Sequence, residues 1–137
     1  MVKFNEMKPG DFVIAEYEGQ RRMGEITSVS QNTDDKKVCV ETDVQEFWYD
    51  REHLHPIPIN DESMTWLNFT REDQPDGSVK YKKGSFRVLI PAKDNFTNLE
   101  MWYREDRRHH PDVHYVHQLQ NHYLQMTKVH LTREVMV

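Results

Sequence analysis

A chain of 137 residues, 30% charged and 11% aromatic, is long enough for one domain or two very small ones and too rich in rings to stay disordered. Its apolar runs, Phe12-Val13-Ile14-Ala15 and Val88-Leu89-Ile90 ahead of Pro91 among them, are far short of the roughly 20 residues that cross a bilayer. The single cysteine, Cys39, excludes an internal disulfide and any thiolate-based zinc site.

The first residues, Met1-Val2-Lys3-Phe4-Asn5-Glu6, hold no apolar segment resembling a secretory signal, so a cytosolic home with no membrane association is expected. On that reading the glycosylation-like triplets at Asn68 and Asn95 are accidental. The charge is unevenly spread: residues 1–60 carry 7 Lys+Arg against 12 Asp+Glu, and residues 61–137 carry 11 of each. All the surplus negative charge sits on the first half. Affinity for nucleic acid comes mostly from cations on phosphates, so this half is a poor starting point for that role.

In chain order, Phe12-Val13-Ile14-Ala15-Glu16-Tyr17 reads as a strand, and Glu18-Gly19-Gln20 offers the glycine that a tight turn needs. A second strand is expected from about Met23 to Val29, then a polar loop over residues 30–35. A third covers Val38-Cys39-Val40-Glu41 and a fourth Glu46-Phe47-Trp48-Tyr49. Asp50-Arg51-Glu52-His53 reads as one helical turn. Residues 54–59 form a last strand, confined to an edge because Pro56 and Pro58 cannot donate to a ladder. Five short strands bury themselves most simply by curling into a small barrel. Lys8-Pro9-Gly10-Asp11-Phe12-Val13, then Gly24-Glu25-Ile26 and the short turn before the last strand, resemble SH3-like modules of the Tudor and KOW kind. That resemblance raises a cation-binding cage built from Tyr17, Phe47, Trp48 and Tyr49. Strand alternation argues instead that Phe47 and Tyr49 share one face and Trp48 takes the other, which divides the rings between core and surface.

The expected second domain, residues 61–137, is a small α+β unit after a barrel over residues 1–60. Asn60-Asp61-Glu62-Ser63 offers caps ahead of a short helix over Met64-Thr65-Trp66-Leu67-Asn68-Phe69. Strands are expected over residues 67–70 (if that helix is very short), 79–82, 85–91 and 98–103, with Gln74-Pro75-Asp76-Gly77 as a turn. Residues 104–110 read as a charged loop. A helix over about 112–127 follows, opened by Pro111 and Asp112. Its apolar stripe is Val116, Leu119, Tyr123 and Met126, and His114, His117, Gln118, Asn121 and Gln125 lie opposite.

Tyr115-Val116-His117-Gln118-Leu119-Gln120-Asn121-His122-Tyr123 resembles a signature of an uncharacterised family of short bacterial and phage proteins. Those proteins also share the Gly10-Asp11-Phe12-Val13, Pro56-Ile57-Pro58-Ile59 and Trp66-Leu67 features. The chain departs from the family after Tyr123, with Leu131-Thr132-Arg133-Glu134 where a Leu-Thr-Gly-Glu-like end is usual. The resemblance implies architecture and no activity.

Chemistry is sparse. His114 and His117 are three apart, His109 and His110 stand upstream, and Asp106 or Asp112 would be a third ligand. Without an HExxH-type pattern, a solvated polar face is the stronger reading. Cys39 reads as core packing, and no nucleophile elbow, P-loop or dinucleotide fingerprint is present. The expectation is therefore a non-catalytic protein-interaction or adaptor module with no cofactor or metal, its binding residues Trp48, His114, His117, Gln118 and Asn121. The alternatives are a nucleic-acid-associated barrel acting through Arg104, Arg107 and Arg108, and a metal-dependent enzyme.

Overall fold

The structure, a computed structural model, describes residues 7–30, 36–109 and 112–134; most of the expected polar loop, His110 and Pro111 lie outside them. The protein is mainly β, with two antiparallel sheets and one long C-terminal helix. Its contacts divide it into two units, Met1–Ile57 and Pro58–Val137.

In the first unit, β1 (Phe12–Tyr17), β2 (Gln20–Val29), β3 (Lys37–Glu41) and β4 (Glu46–Asp50) follow one another as a meander. A single 3₁₀ turn (Arg51–His53) then leads into β5 (Leu54–His55). The order is β4-β3-β2-β1-β5. Backbone pairing does not close this sheet among the described residues, so the expected closed barrel is an open sheet with β4 and β5 at its edges. The last strand is two residues long, not six, because Pro56 and Pro58 have no N–H to extend a ladder.

Two local features shape this sheet. Glu18 and Gly19 both take positive φ (52° and 77°), which makes the two-residue turn whose twist matches a hairpin. Gly24 lies inside β2 opposite Val13, and a Cβ there would sit 2.7 Å from the Glu41 carbonyl oxygen and 2.8 Å from Val40 Cγ1. Only a bare Cα lets β3 approach β2 this closely, and glycine in a strand commonly marks such a bend. The inner face gathers Val13, Ala15, Ile26, Val38, Val40, Tyr49 and Leu54. Cys39 is buried on the other face.

In the second unit, α1 (Asp61–Trp66) starts from a reciprocal cap. Asn60 Oδ1 accepts from the Ser63 N–H at 2.8 Å, and Ser63 Oγ accepts from the Asn60 N–H at 2.9 Å. The sheet that follows comprises β6 (Thr70–Asp73), β7 (Val79–Lys83), β8 (Phe86–Ile90), β9 (Glu100–Tyr103) and β10 (Asp106–His109), in the order β10-β9-β8-β7-β6. The expected strand over 67–70 starts at Thr70, because α1 and its cap take Asn60 to Leu67. The expected charged loop over 104–110 is mostly strand: Arg104 turns with φ 56° and β10 pairs with β9 from Asp106 to His109. Charged side chains suit an edge strand, where they discourage pairing with other chains.

Alternation puts Val79, Tyr81, Phe86, Val88, Ile90 and Met101 on one buried face. Both helices cover that face: Tyr81 Oη donates to Asp61 of α1 at 2.7 Å, and Phe86 meets Tyr123 with ring centroids 4.7 Å apart. The long helix, α2 (Val116–Thr127), begins four residues later than expected. Tyr115 stays extended in a bridge with Pro58, and Gln118 Oε1 accepts from the His114 and Tyr115 N–H groups at 3.0 and 3.2 Å. That bond satisfies the helix end where it now lies. The stripe Val116, Leu119, Tyr123 and Met126 is buried.

Candidate functional site

The first unit exposes an unusual share of its rings. Tyr17 ends β1 and Phe47 lies in β4, so in a flat sheet of this order their strands would be roughly 14 Å apart. Their ring centroids are 5.4 Å apart, edge to face, and Phe47 meets Tyr49 at 5.7 Å in the same manner. The sheet therefore curls until β1 and β4 approach, as the glycine at position 24 allows. Tyr49 is buried at the base, whereas Tyr17 and Phe47 remain 46% and 43% exposed.

The rings lean on one another and leave no slot between them, so they form an open shelf and not a cage of opposed walls. Trp48 points to the opposite face, across from Cys39 in the ladder, and is 49% exposed. Phe47 and Tyr49 thus share one face and Trp48 takes the other, as alternation leads one to expect, with Tyr49 buried and Phe47 exposed.

Acids rim the shelf. A groove of about 320 Å³ runs along it, lined by Glu16, Glu18 and Asp50 as well as Tyr17, Phe47 and His53. Glu16 is held below the usual carboxylate range, first by a hydrogen bond with His55 Nε2 at 2.9 Å and then by the charge of Arg21. Asp50, Glu52 and His53 bring one ligand atom each within 4.8 Å of one another, all exposed to solvent. Further along the sheet, Glu25 faces Glu41 directly. Burial, and then that neighbouring charge, push the Glu25 carboxyl up. Like charges directly opposite destabilise a sheet; this pair lies on the Cys39–Trp48 face, away from the shelf.

The residues expected to bind on the long helix do not form one face. His117 is 1% exposed, which corrects its place on a solvated stripe: the buried arc of α2 is wider than the apolar residues alone and includes His117 and Gln120. Its ring stacks on Tyr115 at 6.1 Å. His114 is exposed but precedes the helix, Gln118 is engaged in capping, and Asn121 is half-buried.

The arginine cluster also separates. Arg107 and Arg108 alternate across β10. Arg108 reaches Gln125 of α2 on the helix-covered side, and Arg104 lies over the Tyr103 ring at 5.1 Å. Arg107 alone faces outward, against Trp102 at 4.9 Å. On that same face Arg87 and Trp102 pair in register, a juxtaposition of distant residues that sequence spacing does not reveal.

No described helix is long and apolar enough to cross a membrane. Comparison with family models, curated proteins and solved structures finds no match to this chain.

Proposed function

We propose that the chain is a non-catalytic protein-interaction module whose first unit receives a cationic segment of a partner on the Tyr17–Phe47 shelf. The observation that carries this reading is the exposure of two mutually packed rings on the acidic unit of the chain. Exposed apolar rings cost solvation and mark binding surfaces when they cluster. Aromatic faces attract ammonium and guanidinium groups, and the carboxylates of Glu18 and Asp50 add electrostatic steering toward cations.

An SH3-like identity for this unit belongs to the same proposal. It is supported by the strand order β4-β3-β2-β1-β5, by the 3₁₀ turn immediately before β5, and by the curl that joins Tyr17 to Phe47. The non-catalytic part is supported by how the perturbed groups are engaged. Tyr81 donates to Asp61, Arg71 pairs with Asp61 and Asp73, and Lys83 donates to two backbone carbonyls. A cytosolic setting fits the buried free thiol of Cys39.

A lysine-rich peptide, unmodified or trimethylated, tests the reading by fluorescence anisotropy. Tyr17→Ala and Phe47→Ala are expected to weaken binding by about fivefold or more each, as loss of a cation–π contact of roughly 1 kcal/mol implies. Glu18→Gln is expected to reduce the salt dependence. Because both rings are nearly half exposed, the variants should melt close to the wild type. Wild-type affinity in both ring variants would refute the proposal.

A further inference from the structure

The outward face of the second sheet is organised around one row of side chains. Lys82 stands opposite Arg87, Arg87 opposite Trp102, and Trp102 opposite Arg107, so the row crosses four strands and spans roughly 14 Å. The indole lies between two guanidiniums, with Arg87 at 5.0 Å and Arg107 at 4.9 Å from its centroid. Two residues along each strand, on the same face, lie Lys80, Leu89 and Glu100. The face thus carries four cations against the two acids Glu72 and Glu100.

Those acids are already engaged. Glu100 pairs with Arg107, and Glu72 sits 3.7 Å from Lys80 and 3.4 Å from Lys82. Arg87 is different: its Nε is buried with no hydrogen-bond partner, and no acid pairs with it among the described residues. A buried donor left without an acceptor is costly and calls for an explanation. Beside it opens a cleft of about 400 Å³ between the β6–β7 turn and the sheet, walled by Pro75, Leu89 and Trp102. Asp76 on its rim is occupied, accepting from Ser78 N–H and Oγ at 3.0 and 2.6 Å.

The geometry points to a single-stranded nucleic acid lying across this sheet, with one base in the cleft against Trp102 and Leu89 and backbone phosphates on Lys82, Arg87 and Arg107. A phosphate would pair with the Arg87 guanidinium, which no described acid neutralises, and charge-assisted bonds to a guanidinium are strong. Unstacked bases are held by indole and guanidinium surfaces whatever their identity. A duplex hides its bases and cannot fill the cleft. An acidic peptide satisfies the cations and leaves the apolar walls uncovered. This surface is separate from the aromatic shelf of the first unit and does not rest on it.

Titration of a labelled oligothymidylate with the full chain at low salt decides the matter. Because the chain carries a net charge of −5, binding is not to be had from bulk electrostatics. Saturable binding is expected. Trp102→Ala and Arg87→Ala should each weaken it about tenfold, Trp102→Phe should retain most of it, and loss of Arg87 should lower the salt slope by about 0.7. Melting temperatures near the wild type verify folding; if Trp102→Ala unfolds, Trp102→Phe with Arg87→Gln carries the comparison. The inference is overturned by absence of binding at low salt, or by wild-type affinity in the folded variants. Equal affinity for a duplex, for oligoglutamate or for a free mononucleotide also overturns it.

Discussion

Replacing Gly24 by alanine is expected to destabilise the first unit by about 2–3 kcal/mol, although alanine is the better residue in an ordinary strand. Alanine normally gains about 0.5–1 kcal/mol over glycine because the unfolded chain has less freedom to lose. Here the new Cβ would stand 2.7 Å from the backbone oxygen of Glu41 and 2.8 Å from Val40 Cγ1. The first contact is with backbone, which cannot swing aside as a side chain does. Relief requires β3 to retreat from β2, and overpacking of this kind costs about 1–3 kcal/mol or more. Urea unfolding followed through amide exchange of β1 to β4 measures the loss. An unchanged or raised midpoint would show that β2 and β3 do not approach as closely as described. The same retreat should separate Tyr17 from Phe47, so this variant also couples the curl to the shelf.

Lys83→Ala is the second large effect, at about 2–4 kcal/mol. Lys83 occupies a slot of the buried face in β7, after Val79 and Tyr81, and is 3% exposed. Its Nζ donates to the Leu67 carbonyl at 2.6 Å and to the Thr132 carbonyl. Leu67 caps the C-terminal end of α1, where carbonyls lack helical partners. The lysine therefore joins the end of α1 to the C-terminal segment, alongside Arg133, whose guanidinium lies 4.2 Å from the Trp66 ring. Truncation leaves two carbonyls short of a donor and empties the space of the stem. Lys83→Met keeps most of the stem and removes a desolvated charge, so it should cost less than alanine.

The pH dependence of this site has a definite sign. Burial, reinforced by the charge of Arg133 and opposed by Glu134, brings Lys83 down to about 8 from its usual 10.5. Between those values the unfolded chain still holds a proton that the folded chain has released. Stability therefore rises with pH across that window, by about 1–3 kcal/mol in total. Below pH 8 both states are protonated and the folded state bears the full cost of the buried charge. Tyr81 and Tyr123, pushed up by burial, act oppositely at still higher pH. The difference between wild type and Lys83→Met isolates the lysine. A difference that stays flat from pH 7.5 to 10.5 would contradict a desolvated ammonium.

How far the sequence reveals this arrangement depends on whether the signal is local. β1 was expected at the bounds it has, because alternation over residues 12–17 and the Glu18-Gly19 turn are both local. The α1 cap was legible for the same reason, since Asn60 and Ser63 complete each other within one turn. The start of α2 was not, because Tyr115 is held extended by Pro58, far away in sequence. His117 looked solvated because polar residues on a helix usually are. Its burial follows from a broad contact arc in which Gln120 also bonds, through Nε2, to the Leu131 carbonyl.

β10 was hidden by its own charge, which suits an edge strand but reads as a loop. Lys83 did carry a signal, as a cation in phase with Val79 and Tyr81, but the strand expected over 79–82 stops one residue short of it. The shelf and the Arg87–Trp102 pair were illegible, because both depend on strand register and curl.

The central claim is that the acidic first unit captures cations on its exposed rings. Amide chemical shifts of the full chain, recorded while a lysine-rich peptide is added, test it most directly. Perturbations are expected to concentrate at residues 16–20 and 46–53, to saturate with the peptide and to fade as salt is raised. Perturbations confined to α2, or none at residues 16–20 and 46–53 at saturating peptide, would contradict it.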